Sequence, residues 1–108
     1  MKNSARNKEN TRILIATTTI RPIPTDYPPF GSLAITNALK QDGFNCIDFY
    51  DIDALRPSYE EALQKIIQTK PDVLGISSVV STAYGFAKEL SLDVKKALPE
   101  TIIVLGGN

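Results

Sequence analysis

The chain has no histidine and only one cysteine among its 108 residues. Without histidine, neither a triad that depends on an imidazole base nor a zinc site with histidine ligands can form within this chain. With Cys46 alone, the chain can form no internal disulfide and cannot by itself ligate an iron–sulfur cluster. We expect Cys46 to be a small buried hydrophobic residue of a protein in a reducing, cytoplasmic compartment.

Charge and hydropathy exclude two further classes. Twelve basic residues balance twelve acidic ones, so no basic surface is available to hold nucleic acid or an anionic membrane. No segment approaches the roughly 20 apolar residues of a membrane span. Residues 1–11 are polar and mixed in charge, which predicts a disordered lead-in, and residues 12–108 are long enough for one domain.

Four short segments are predicted to be strands, at residues 13–16, 46–50, 73–76 and 102–105. Where the apolar run is unbroken, we expect the strand to be buried on both faces. Three amphipathic helices alternate with them. The first is predicted to end at Gly43 in a left-handed cap, and the second to begin with a capping box of Ser58 and Glu61. The expected packing faces are Phe30, Leu33, Ala34 and Ala38; Tyr59, Ala62, Leu63, Ile66 and Ile67; and Ala83, Phe86, Ala87, Leu90, Val94, Ala97 and Leu98.

This alternation predicts a doubly wound α/β domain, with a parallel flavodoxin-like (Rossmann-like) sheet of at least four strands and helices on both faces. The sequence stops directly after the fourth strand, so we expect the fold to be incomplete at its carboxyl end. Ligands of such sheets bind beyond the carboxyl ends of the strands, where the strand order reverses. The loops that leave those ends are therefore the candidate sites.

The loop before the first helix is long and contains four prolines, which stiffen it. Tyr27 and Phe30 could form an apolar wall there, and Gly31 would let a bulky ligand approach the backbone. The alternative is a surface loop whose aromatic residues pack in the core.

Two other segments contribute small residues and hydrogen-bond donors. Gly75 and Ser77 leave room on the third strand, and hydroxyl groups follow at Ser78, Ser81 and Thr82, although Ser81 or Thr82 could simply cap the next helix. Gly106 and Gly107 follow the fourth strand and would allow a ligand to approach the backbone closely, or they form only a turn.

The sequence gives no support for other common ligand-binding motifs. Phosphate-binding loops of the Gly-Lys-Ser type and a G-x-G-x-x-G fingerprint are missing. Asp48, Asp51 and Asp53 could be proposed as a metal or ribose site, but we expect solvated loop acids.

Taken in order, residues 27–33, 42–44, 71–77, 98–99 and 105–107 resemble the amino-terminal cobalamin-binding domain of cobalamin-dependent radical S-adenosylmethionine enzymes. The resemblance covers nearly everything from Thr11 onward. Other cobalamin modules carry D-x-H-x-x-G in the first loop, and here Asp26 and Gly31 keep that spacing while Pro28 stands in place of the histidine. The S-x-L signature of the family corresponds to Ser77 and Val79.

The resemblance implies a cobalamin-binding module whose cobalt has no histidine ligand from this chain. The corrin would lie over the first loop, and the nucleotide tail between sheet and helices. The implied cofactor-binding residues are Tyr27, Pro28, Pro29, Phe30, Gly31, Leu33, Gly75, Ser77, Ser78, Val79, Ser81, Thr82, Gly106 and Gly107.

The module would present methylcobalamin to a radical S-adenosylmethionine domain, in the same or another chain, that carries the 4Fe–4S cluster and S-adenosylmethionine. We expect no catalysis by this chain alone. Two alternatives remain: a degenerate interaction domain that binds no cofactor, and a flavodoxin-type nucleotide binder.

Overall fold

Four parallel strands form one sheet in the order β2-β1-β3-β4. A computed structural model describes residues 10–18, 30–77 and 81–106, with the backbone alone at residues 30, 31 and 81–84. The elements along the chain are β1 (Arg12–Ala16), α1 (Phe30–Gln41), β2 (Cys46–Tyr50), α2 (Ile52–Leu55), α3 (Tyr59–Thr69), β3 (Val73–Ser77), α4 (Ser81–Ala97) and β4 (Ile102–Gly106). The predicted flavodoxin-like α/β class is confirmed.

The strand register places β1 at the centre of the sheet. Ile15 lies opposite Phe49 of β2 on one side and Gly75 of β3 on the other. On the far side of β3, Ser77 lies opposite Gly106. The carboxyl ends of all four strands therefore lie along one edge of the sheet.

The two faces of the sheet carry separate sets of buried residues. On one face, β1 and β3 pack against α3 and α4 in a single core cluster, which contains Leu14, Ala16, Tyr50, Ile52, Ala62, Ile66, Leu74, Ile76, Ala87, Leu90 and Val94. Because side chains alternate along a strand, Ile13 and Ile15 face the opposite side, where α1 packs mainly on β1 and β2.

The predicted end of α1 and the predicted start of α3 are confirmed, because both have the expected capping hydrogen bonds. Gly43 has a φ of 103°, and the N–H groups of Gly43 and Phe44 donate to the carbonyls of Lys40 and Leu39, both at 3.1 Å. These are the two hydrogen bonds of a Schellman cap. At α3, the Glu61 N–H donates to the Ser58 hydroxyl and the Ser58 N–H donates to the Glu61 carboxylate, which completes the capping box.

The predicted packing face of α1 is wrong. Leu33 is 41 % exposed, Ala34 and Ala38 are also exposed, and Ser32 and Thr36 are buried instead. The Thr36 hydroxyl donates to the Ser32 carbonyl at 2.9 Å, so burial of Thr36 leaves no hydroxyl without a partner. The helix can therefore turn this pair inward.

Three other expectations fail at the edges of elements. Cys46 is exposed rather than buried, because it begins β2, which pairs on one side only among the described strands. In β4, Ile102 is 60 % and Val104 51 % exposed, so this unbroken apolar run is not buried on both faces. Ala97, at the last position of α4, is also exposed.

Candidate functional site

The crevice between β1 and β3 is the switch point of this sheet. The chain crosses from β1 to β2 on one face and from β2 to β3 on the other, so the strand order reverses at β1. In sheets of this class, the crevice outside the carboxyl ends at that point is where ligands bind. Thr18 lies there, two residues beyond the end of β1, and Ser77 ends β3.

A shelf of small and apolar residues adjoins this crevice. Leu74, Ile76 and Ile103 face the α3–α4 side, so by strand alternation the residues between them face the α1 side. We call these residues the β3–β4 shelf: Gly75, Ser77, Ile102, Val104 and Gly106.

The shelf is open over most of its area. Gly75 and Ser77 are half-buried, and the three shelf residues of β4 are exposed. A Cβ atom added at Gly75 would lie 3.1 Å from Cδ1 of Ile15, whereas one added at Gly106 would meet nothing within 4 Å. The floor beside β1 is therefore closely fitted, and the floor over β4 has room for a ligand.

On the side of β1 away from β3, a hydrogen-bonded network connects Thr17 to the residues that follow β2. The Thr17 hydroxyl donates to Oδ1 of Asp51 at 2.8 Å and accepts from the N–H of Asp53 at 3.0 Å. Arg56 donates from Nε to the Asp53 carbonyl at 2.7 Å and from a terminal nitrogen to Asp53 Oδ1 at 2.8 Å.

Asp53 is only 8 % exposed. Its description as a solvated loop acid is wrong, because the guanidinium of Arg56 pairs with it in the folded chain. Asp51 accepts a bond from the Ala54 N–H and caps α2, an unpredicted helix. Both carboxylates thus hold local structure.

The predicted site residues fall into three groups. Gly75, Ser77 and Gly106 come together on the shelf. Leu33, Phe30 and Gly31 lie in the first turn of α1, and Ser81 and Thr82 in the first turn of α4; both helices begin at the carboxyl edge, since each returns the chain to the start of the next parallel strand. The remainder lie outside the described residues: Tyr27, Pro28, Pro29, Ser78, Val79 and Gly107.

One residue at the crevice was not singled out from the sequence. Thr18 is 3 % exposed, and its hydroxyl donates to the Ser77 carbonyl at 2.5 Å. The available signal was its position, because a hydroxyl residue directly after a buried strand must find a partner at the sheet edge.

A separate cleft of about 550 Å³ lies between the end of β2, the α2–α3 connection and α3. Phe49, Leu55 and Arg56 help to line it, and the ammonium of Lys65 lies 5.9 Å from the centre of the Tyr50 ring. Burial, followed by the nearby Glu61 carboxylate, raises the pKa of Tyr50 above its ordinary value. None of the predicted site residues lines this cleft.

The described segments contain neither a membrane-spanning helix nor a cluster of metal-binding side chains. None of the helices there has both the length and the apolar character needed to cross a bilayer. In the same part of the chain, no three side chains of the His, Cys, Asp or Glu type group together as metal ligands would.

Comparison with known proteins places the chain among cofactor-binding domains. A family model described as the B12 binding domain matches residues 16–108. The anaerobic magnesium-protoporphyrin IX monomethyl ester cyclase of Rubrivivax gelatinosus is 27 % identical over 85 residues, which cover 79 % of this chain and 15 % of that protein.

A solved structure shares the fold. It is the radical S-adenosylmethionine methyltransferase TsrM from Kitasatospora setae, with tryptophan substrate and a SAM analogue bound. The TM-score is 0.68 at 17 % identity, and the match covers 90 % of this chain and 19 % of that one. The present chain thus spans less than a fifth of either relative.

Proposed function

The chain belongs to the B12-binding domain family, and from this membership we propose that it binds cobalamin at the β1–β3 crevice. The nucleotide tail would lie on the β3–β4 shelf, and the corrin ring over the loop that contains Tyr27, Pro28 and Pro29. The single observation that carries the proposal is the open shelf formed by Gly75, Ser77 and Gly106 beside the switch point.

The residues present fit such a tail. A planar base needs a flat floor, and a side chain at Gly106 would project into space that is now open. Exposed Ile102 and Val104 offer apolar contact, at 60 % and 51 % exposure. Ser77 supplies a hydroxyl at the carboxyl end of the same floor, and Ser78, Ser81 and Thr82 would add donors near a phosphate.

The cobalt would receive no histidine from this chain, since the sequence contains none. Pro28, at the histidine position of the loop motif, has neither a side-chain donor nor a ligand atom. When bound, cobalamin would supply a cobalt centre able to carry a methyl group. The roles left to this chain are to hold the cofactor and to shield one face of the corrin, with Tyr27, Phe30 and Leu33 as the apolar candidates.

We further propose that the chain serves a radical S-adenosylmethionine domain located elsewhere, in the same polypeptide or in a partner. Both relatives are several times longer than this chain, and one is named as a radical S-adenosylmethionine methyltransferase. A 4Fe–4S cluster needs several cysteine thiolates, and this chain has one cysteine. The cluster and S-adenosylmethionine would therefore bind to that other domain.

The test is a visible absorption spectrum after incubation with hydroxocobalamin and removal of free cofactor. We expect corrin bands at about one equivalent per chain, without the signature of cobalt ligated by histidine. A folded, colourless protein would contradict the proposal, and folding is checked on the same sample by far-ultraviolet circular dichroism.

Ser77→Leu and Ser91→Leu form a matched pair for this test. Ser77→Leu places four carbons on the shelf and should abolish cofactor retention. Ser91→Leu makes the same change on α4, where the Ser91 hydroxyl donates to the Ala87 carbonyl, on the opposite side of the sheet, and should leave retention intact. If a folded Ser77→Leu protein retained cobalamin, the proposal that the nucleotide tail lies on the β3–β4 shelf would be contradicted.

A degenerate interaction domain is the second candidate. Exposed Ile102 and Val104 favour it, because they lie on β4, which pairs on one side only among the described strands, and exposed apolar residues on such a strand can also bind protein. It predicts a folded chain that takes up no cobalamin. A nucleotide binder of flavodoxin type predicts instead that flavin mononucleotide, and not cobalamin, raises the melting temperature.

A further inference from the structure

Two neighbouring threonines at the end of β1 are anchored to different strands. Thr17 bonds on the β2 side: its N–H donates to the Tyr50 carbonyl at 3.1 Å, and its hydroxyl donates to Asp51. Thr18 bonds on the β3 side, through its hydroxyl to the Ser77 carbonyl. Their exposures are nearly equal, at 5 % and 3 %.

The Thr18 bond lies beyond the end of the regular ladder. The β1–β3 register ends at the pair Ala16 and Ile76, so the hydroxyl of Thr18 continues the connection between the two strands into the crevice. At 2.5 Å, with Thr18 almost fully buried, the bond is short and shielded from water. It holds the backbone of Ser77, the serine of the shelf, at a fixed distance from β1.

On the basis of the proposed function, we infer that Thr18 is a positioning residue for cobalamin. By holding the Ser77 carbonyl, it sets where the Ser77 side chain stands on the shelf.

Thr17 provides the matched control. It has the same side chain, comparable burial and comparable hydrogen bonding, yet its bonds run to β2 and away from Ser77. A purely structural role would make the Thr17→Val and Thr18→Val variants alike. A positioning role requires that they differ in cofactor affinity while both lose stability.

The experiment is a spectrophotometric titration with hydroxocobalamin, paired with urea denaturation of each protein without cofactor. We expect Thr18→Val to bind hydroxocobalamin with a Kd about tenfold higher, which is the size of effect associated with one hydrogen bond. Thr17→Val should bind within about twofold of the original protein even though it unfolds at lower urea. Thr18→Ser, which keeps the hydroxyl, should restore the Kd to within about threefold.

Four outcomes overturn the inference. An unchanged Kd in Thr18→Val shows that the hydroxyl does not position the cofactor, and an equal loss in both valine variants shows a role in stability alone. If Thr18→Val does not fold, Thr18→Ala and Thr18→Ser take its place, and equal Kd values for these two variants refute it. If the unaltered protein takes up no cobalamin, the proposed function fails and this inference fails with it.

Discussion

Replacing Arg56 and Lys70 by glycine separates the cost of a left-handed backbone from the contribution of the Arg56 guanidinium. Arg56 (φ 51°, ψ 51°) and Lys70 (φ 49°, ψ 58°) end α2 and α3 in nearly the same conformation. The backbone N–H of each also donates back to a helix carbonyl. The two residues differ in their side chains, because Lys70 is exposed and Arg56 is bonded twice to Asp53.

The expected magnitudes follow from these contacts. A left-handed conformation costs a non-glycine residue roughly 1–2 kcal/mol, and glycine costs about 0.5–1 kcal/mol in lost entropy. Lys70→Gly should therefore raise the free energy of unfolding by about 0.5–1 kcal/mol. Arg56→Gly gains the same amount but loses a charged pair whose side chains are 23 % and 12 % exposed, worth about 2 kcal/mol at this partial burial. The net loss should be about 1 kcal/mol.

Urea denaturation of the two variants measures this difference directly. We expect the Lys70→Gly midpoint to rise, the Arg56→Gly midpoint to fall, and the slopes to stay equal, since neither change alters the surface exposed on unfolding by much. If Arg56→Gly is as stable as Lys70→Gly, the guanidinium contributes nothing, and the burial of Asp53 must have another explanation.

Two further predictions concern other parts of the chain. Burial, and next the hydrogen bond to the Asp93 carboxylate, raise the pKa of Tyr59 above its ordinary value of about 10. The contribution of this hydroxyl to stability is therefore fully present below about pH 10 and falls as the pH rises above it. The difference in urea midpoint between the original protein and Tyr59→Phe should shrink from neutral pH to about pH 11, and a constant difference would contradict the assignment. On β4, Ile102→Lys should reduce any self-association that the original protein shows in analytical ultracentrifugation, whereas Leu92→Lys, at a comparably exposed position (57 %) on α4, should not; equal effects would point to charge alone.

The sequence was sufficient for the strands and for most of the helix ends, because those depend on local chemistry. Unbroken apolar runs mark β1 and β3, and the capping box and Gly43 mark helix boundaries through bonds to residues only a few positions away. The alternation of the elements then leaves few arrangements of a parallel sheet.

The failures at Thr36 and Asp53 share a different cause, since each depends on a hydrogen-bond partner that the sequence pattern does not reveal. Thr36 is buried because its hydroxyl is satisfied inside α1. Asp53 is buried because Arg56, in a left-handed conformation, folds back onto it. Polarity alone predicts exposure at both positions.

The candidate site was predictable only in part, because its position depends on strand order and its assembly depends on strand register. Gly75, Ser77 and Gly106 could be placed at the carboxyl edge from strand order along the chain. That they share one face and adjoin one another depends on the register between β3 and β4, which is a property of the assembled sheet.

The central position of β1 has a consequence for synthesis on the ribosome. Of the four described strands β1 is made first, yet its partners arrive late: Thr17 bonds to Asp51, 34 residues later, and Arg12 bonds to Asp72, 60 residues later. At roughly 5–20 residues per second, translation takes about 3–12 s to cover the longer distance. Ile13, Leu14 and Ile15 have both strand edges open until β2 is made, and the edge that pairs with β3 stays open for the whole interval. The nascent chain is therefore vulnerable to mispairing at β1 until β3 emerges.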